Sequence, residues 1–186
     1  MSLPSAVPAP DATIVRRGTA DDATMLADLA ARTFSDTFAS DNRAEDMAAY
    51  LPVHFAPGIQ RAELGDAANT YLIAERAGEP VGYALVRAGP APACVGSEPA
   101  VEVVRIYVDR PWFGRGVAPV LMDACTTEGR LRGARTLWLG VWERNPRAIA
   151  FYRKCGFRDV GGQTFQLGQD VQSDRVMARD IGDGRA

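Results

Sequence analysis

VEVVRIYVDRPWFGRGVAPVLM at residues 101–122 and TLWLGVWERNPRAIAFYRKCGF at residues 136–157 together spell strand, glycine turn, helix, strand, helix. That order is the sequence form of a right-handed crossover joining two parallel strands. The first strand is VEVVRIYV, residues 101–108. In the helix that follows, Pro119 stands near the first position, Val117, Val120, Leu121, Ala124 and Cys125 share a face, and Gly133 is the stop. TLWLGVW, residues 136–142, is apolar on both faces and reads as a central strand, in which Gly140 permits a bulge or a close backbone approach. Asn145 is placed to cap the second helix, with Pro146 at its first position, Ala148, Ile149 and Tyr152 facing inward, and Gly156 at its end.

Working outward, residues 12–18 read as a short strand, and Asp21 or Asp22 stands where an N-cap carboxylate would open a helix from Asp22 to Phe34. Residues 36–64 carry Met47, Tyr50, Leu51 and Phe55 as apolar spacers and predict one or two short helices, broken near Pro57 and Gly58. Strands at 70–77 and 80–88 flank Gly78-Glu79 as a hairpin, and a Gly/Pro/Ala-rich loop at 89–99 leads into the crossover. Beyond it, FRDV, TFQL and RVMAR are strand-like runs separated by glycines that would close the sheet as a final hairpin. These elements predict a mixed α+β domain over residues 12–181, between tails at 1–11 and 182–186.

With 186 residues, 47% of them hydrophobic and 24% charged, the chain can bury one core but has no room for a second catalytic domain. Twenty-one basic against 23 acidic residues leave no excess with which to neutralise nucleic-acid phosphates. Cys94, Cys125 and Cys155 are odd in number and widely spaced, so neither a disulfide framework nor a metal site is expected. The N-terminal stretch lacks a cationic and apolar leader, and no apolar run approaches the ~18 residues of a membrane span, so a cytoplasmic protein without a membrane partner is expected.

Phe113-Gly114-Arg115-Gly116-Val117-Ala118 joins a strand end to a helix start, where successive backbone N–H groups and the positive helix end can converge on an anion such as a pyrophosphate. The loop is too short for a P-loop and lacks its lysine. A dinucleotide site competes better, because Gly114-x-Gly116 ends one strand and Glu143 the next, but Pro119 occupies the third glycine's position and the motif does not open the domain. An ordinary tight strand-to-helix turn would read the same way.

Taken together, the turn and the capped helix resemble the Gcn5-related N-acetyltransferase (GNAT) superfamily, whose R/Q-x-x-G-x-G/A motif falls on residues 113–118. The arrangement matches from about residue 12 to 179. FSDTFASDNRAEDMAAYL, VEVVRIYV, WLGVWERNPRAIAFYRKCGF and FQLGQDVQSDRVMAR resemble in particular the bacterial PaiA-type spermidine/spermine N-acetyltransferases. Phe113 departs from the pattern, standing where the motif has Arg or Gln. The resemblance implies a strongly twisted sheet of six or seven strands flanked by about four helices, with a parallel central pair joined by the cofactor-binding helix. It also implies acetyl-CoA as cosubstrate, without a metal. The pantetheine arm would lie beside Ile106, Tyr107 and Val108, and the diphosphate on the turn from Phe113 through Gly114, Arg115, Gly116 and Val117 to Ala118. Asn145 matches the asparagine near the pantetheine, and Tyr152 the tyrosine beside the thioester sulfur. Without the resemblance, Asn145 is explained as a cap and Tyr152 as a core residue.

Acetyl transfer needs a neutral amine, and deprotonating one of pKa about 10.4 at pH 7 costs roughly 4 to 5 kcal/mol. Glu102 is the expected base, chiefly because the resemblance places the family's base there, on the alternating face it would share with Val104, Ile106 and Val108, acting directly or through water; the alternative is a strand-end glutamate that is simply solvated. An N–H near Val108 would stabilise the oxyanion, and Tyr152 would protonate the CoA thiolate. Cys155 invites a ping-pong alternative but also suits a helix end. Asp36, Asp41, Glu45 and Asp46 would draw a polyamine cation, or form a solvated face. His54, the single histidine, has no nucleophile pattern around it, so hydrolase chemistry is not supported. The expected partner is a small-molecule amine, and a homodimer is left open. A protein N-terminus or a drug-like amine as acceptor, or a CoA-binding regulatory module without turnover, remain as alternatives.

Overall fold

A computed structural model describes residues 12–96, 99–167 and 170–182. Of the expected tails at 1–11 and 182–186, residues 1–11 and 183–186 lie outside the described residues, and Gly182 lies two residues past the last strand. Among the described residues the chain forms β1 (Ile14–Arg17), α1 (Ala23–Phe38), α2 (Ala44–Phe55), α3 (Pro57–Gly65), β2 (Asn69–Arg76), β3 (Glu79–Ala88), β4 (Ala100–Val108), α4 (Val117–Leu131), β5 (Thr136–Trp142), α5 (Pro146–Lys154), β6 (Arg158–Leu167) and β7 (Asp170–Asp180). The strands make one sheet in the order β1-β2-β3-β4-β5-β7-β6, antiparallel throughout except for the β4–β5 pair that α4 joins. The mixed α+β architecture expected from the sequence is the one observed. No helix among the described residues is long and apolar enough to cross a membrane.

Each face of the sheet buries its own cluster. Leu72, Val86, Val103 and Leu139 meet Val117, Leu121 and Cys125 of α4 and Ile149 and Tyr152 of α5. Tyr71, Ile73, Tyr83 and Leu85 meet Leu26, Leu29 and Phe34 of α1 and Met47 and Phe55 of α2. Burying such side chains is worth roughly 1.5 to 3 kcal/mol each.

Several boundaries differ from the sequence reading, for local reasons. Five helices form where about four were expected, because Ala56, held extended (ψ 148°) before Pro57, separates α2 and α3 with a single residue, and Pro57 starts the new helix instead of only ending the old one. α1 runs one turn past Phe34: Thr33 and Thr37 return their hydroxyls to the carbonyls of Leu29 and Thr33, and nothing there breaks the helix. Asp22 does not cap α1 with its side chain. Its carboxylate turns back to accept from the Thr19 N–H (2.7 Å) and from Arg16 (2.7 and 2.8 Å), and the Arg16 guanidinium, opposed by burial, holds the acid down to about 2.

The hairpin turn is Ala77-Gly78, not Gly78-Glu79: Arg76 pairs with Glu79, and φ is 49° at Ala77 and 82° at Gly78. Val120, expected on the buried face of α4, is 37% exposed, and Met122 is buried instead. The three runs after Phe157 form two strands, because β6 continues through its glycines with an irregularity between Asp159 and Gly161, and β7 inserts between β5 and β6.

Candidate active site

β4 and β5 are paired only at Ala100–Thr136, Val101–Leu137 and Glu102–Trp138. Past these three residues the strands part, and a cavity of about 900 Å³ opens in the gap. β4 also carries an extra residue here: Leu85 faces Arg105 while the next residue, Val86, faces Val103, so Val104 stands without a partner on β3. The bulge reverses the alternation of the strand. Val103, Ile106 and Val108 face α4 and α5, whereas Val104 and Tyr107 face α1 and α2. Glu102 therefore does not share a face with Ile106 and Val108, which corrects the strict alternation assumed from sequence. It is half-buried and lies outside the cavity wall; burial raises its pKa against the pull of Arg87 and Arg105.

The glycine turn closes one end of the cavity. Gly114 and Gly116 have φ of 73° and 81°, and a Cβ at either would meet no atom within 4 Å. Only glycine adopts this conformation without strain, and the space before it is open, so the turn can present N–H groups to a phosphate at the start of α4. Gly114, Gly116, Val117 and Ala118 line the cavity together with Phe113 and Pro119. The Arg115 side chain does not; its guanidinium lies over Trp112, 5.2 Å from the ring centroid. The Arg147 guanidinium stacks on the Phe113 ring at 4.0 Å and itself lines the cavity. Thus α5 brings a cation to the position where the motif's first residue has none.

Asn145 and Tyr152 complete this side. The Asn145 side chain accepts from the Ala148 N–H at 3.0 Å, as an N-cap does, while also forming part of the wall. Tyr152 is 9% exposed, packs on Phe157, and lines the cavity; burial, reinforced by the two thiols Cys125 and Cys155, raises its pKa and keeps the phenol protonated. Burial also raises the Cys155 thiol, and Cys155 does not line the cavity, so the ping-pong alternative loses both thiolate and access.

The other end is aromatic. Phe34 and Phe38 of α1, Tyr50 and Phe55 of α2, Tyr107 of β4 and Trp142 of β5 form its wall, with Phe34 stacked on Tyr50 at 5.0 Å and Phe38 tilted onto Trp142 at 5.8 Å. Asp36, Asp41, Glu45 and Asp46 do not reach it, because α1 turns Phe34, Thr37 and Phe38 inward and leaves Asp36 exposed. His54 stacks on Tyr50 at 3.9 Å, outside the wall. Arg105 does line the cavity, but Glu63 neutralises it through bonds of 2.7 and 3.1 Å, and the Tyr71 hydroxyl accepts a third at 3.0 Å.

Asp174 is the residue that sequence reasoning missed. It lies on β7 opposite Trp142, lines the cavity, and takes no hydrogen bond or ion pair to its carboxylate among the described residues. Burial, helped by the nearby charge of Glu143, pushes its pKa up to about 6. The available signal was a carboxylate inside an interior strand of the sheet, paired on both sides, where burial without a partner is costly; the strand start expected at RVMAR fell one residue after it.

Residues 25–157 match the profile of the acetyltransferase (GNAT) family. The chain is 32% identical to an uncharacterized N-acetyltransferase of Mycobacterium tuberculosis over 160 residues, 86% of this chain and 98% of the relative. It is 31% identical over 147 residues to another from Lactobacillus delbrueckii, covering 79% and 85%. Among solved structures, the PaiA N-acetyltransferase of Thermoplasma acidophilum in complex with coenzyme A superposes with a TM-score of 0.73 at 16% identity, over 91% of this chain and 99% of that one, a likeness of fold. The chain therefore belongs to the GNAT family and is an acyltransferase that moves an acetyl group from acetyl-CoA to an amine.

Proposed function

We propose that the amine is a primary amine on a small, polyamine-like acceptor, and that transfer occurs in a ternary complex inside the cavity between β4 and β5. The observation that carries this reading is the continuity of the cavity, which has a glycine turn and a cation at one end and aromatic rings with one carboxylate at the other. The donor's diphosphate would rest on the N–H groups of residues 114–118, with Arg147 supplying the charge that Phe113 lacks. Its pantetheine arm would lie along the unpaired edge of β4 at Ile106, Tyr107 and Val108, beside Asn145. Holding amine and thioester together can lower the barrier by about 7 to 11 kcal/mol in well-oriented cases.

In the transfer, the amine nitrogen bonds to the acetyl carbonyl carbon, the C–S bond breaks with its electron pair going to sulfur, and Tyr152 gives the thiolate a proton. Glu102, expected as the base, stands behind the wall and would have to act through water. The polyamine-like character rests on the sequence resemblance and on the carboxylates near the aromatic end, Asp174 with Glu143 in the adjoining depression. The test is steady-state thiol release from acetyl-CoA over a panel of amines. Spermidine is expected to give kcat/KM at least tenfold above a neutral-bodied monoamine of similar length. Equal values would remove the polyamine assignment and leave the acetyltransferase intact.

A further inference from the structure

Among the described residues, one carboxylate reaches the aromatic end of the cavity, and none of them balances its charge. Arg105 brings a positive charge to the same wall, but Glu63 holds it through two hydrogen bonds. The rings of Tyr50, Tyr107 and Trp142 offer π faces and hydroxyl dipoles, not a counter-charge. Asp174 is thus a partly desolvated anion in an aromatic chamber, an environment that an alkylammonium ion satisfies through charge and cation–π contact together. Its position is as telling as its charge. A Cβ at Gly140 would come within 3.3 Å of Asp174 Oδ2 and 2.5 Å of Gln163 Nε2, so the missing side chain on β5 is what lets the carboxylate stand against the strand. Gly140 lies just past the three residue pairs that hold β4 and β5 together, where the cavity opens between them.

We propose that Asp174 receives the acceptor's ammonium group and takes its proton directly, making it the base of the reaction. The proposal rests on the amine-acceptor reading above. The ammonium transfers one proton to the Asp174 carboxylate, and the nitrogen lone pair then forms the C–N bond. As the C–S bond breaks, nitrogen loses its second proton to water and Tyr152 gives its proton to sulfur; Tyr152 is then reprotonated from water, and Asp174 releases its own proton to water after the product leaves, so one proton is released per turnover. The groups facing Asp174 are Glu143, at the end of β5, and the buried tyrosines Tyr50 and Tyr107; Arg175, next on β7, is committed to Asp159 at 2.7 Å. Burial, and the carboxylate of Glu143 behind it, bring Asp174 up to about 6, close to neutrality, where a base is most effective.

Asp174→Asn keeps the shape and removes the basicity. For the parent, kcat/KM with spermidine should rise with pH through an inflection near 6. In Asp174→Asn it should be about 10²-fold lower at pH 7, lack that inflection, and recover toward the parent as pH 9.5 is approached and more amine is already neutral. CoA affinity by calorimetry should stay within about twofold, since the substitution lies at the acceptor end. A variant with the parent's kcat/KM and inflection overturns the proposal. So does a variant that raises KM alone with kcat and the inflection kept, because Asp174 would then bind charge without taking the proton. Loss of the inflection in Glu102→Gln and not in Asp174→Asn would assign the base to Glu102 and overturn it as well. Failure of the amine-acceptor reading looks different: the parent itself would bind CoA yet release thiol without dependence on any amine.

Discussion

At Tyr152 and Asp174 the same physical cause, burial, shifts two acids into the forms that their proposed roles need. The tyrosine is kept as a phenol that can give a proton, and the carboxyl is raised until it can hold one near neutral pH. Tyr152→Phe removes the hydroxyl and keeps the ring packed on Phe157. Turnover should fall about 10²-fold with CoA affinity nearly unchanged, and a fully active variant would reduce Tyr152 to a packing residue. Asp174 carries a second consequence, for stability. Its folded-state pKa of about 6 lies above the ordinary 3.8, so the folded protein holds that proton more tightly than the unfolded chain does. Ionising it opposes folding progressively between these values, and the full penalty is present above about pH 6. Asp174→Asn should accordingly raise the melting temperature at pH 7.5 and change it little at pH 4, as thermal unfolding at the two pH values would show. The gain would mark a residue retained at the expense of stability.

Elements meet the site through a few polar ties that hydrophobic patterning does not reveal. Glu63 on α3 binds Arg105 on β4, and Arg105 spreads over the Phe55 ring at 5.3 Å, so three elements around the aromatic end share one largely but not fully buried ion pair. Glu63→Gln leaves the guanidinium without its counter-charge and should destabilise the protein by about 3 to 5 kcal/mol in denaturant titrations. The β2–β3 hairpin offers the opposite sign. Ala77 holds φ 49° in a turn that asks for positive φ at both central residues. Ala77→Gly or Ala77→Asn should stabilise by about 1 kcal/mol without touching the site, and an unchanged or lower midpoint would show that the turn tolerates alanine.

For the whole molecule, what could be read from sequence followed how local each cause is. The crossover was legible because its signals are short-range: Pro146 and Asn145 start α5, Gly133 and Gly156 end helices in the left-handed conformation, and TLWLGVW could only be a buried strand. Most of the glycine-turn end of the cavity was legible for the same reason, since the turn at 113–118 is contiguous in sequence. The aromatic end was not. It is assembled from α1, α2, β4, β5 and β7, and neither the β4 bulge that separates Glu102 from the face of Ile106 nor the pairing that sets Asp174 opposite Trp142 leaves a local trace. Asp36 on α1 and Glu45 on α2 were prominent in sequence because they are solvent-facing, which is also why they miss the cavity.

The split between β4 and β5 is the place proposed for the donor, with its diphosphate on the N–H groups beside Gly116. Calorimetric titration of CoA into the parent and into Gly116→Leu tests this most directly. Gly116 has φ 81° and open space before its missing Cβ, so leucine both strains the turn, by about 1 to 2 kcal/mol, and projects into the space assigned to the phosphate. The variant, with cooperative unfolding confirming that it is folded, should bind CoA at least tenfold more weakly than the parent, a loss of about 1.4 kcal/mol or more. Equal affinity in a folded Gly116→Leu protein would contradict the placement of the donor on this turn.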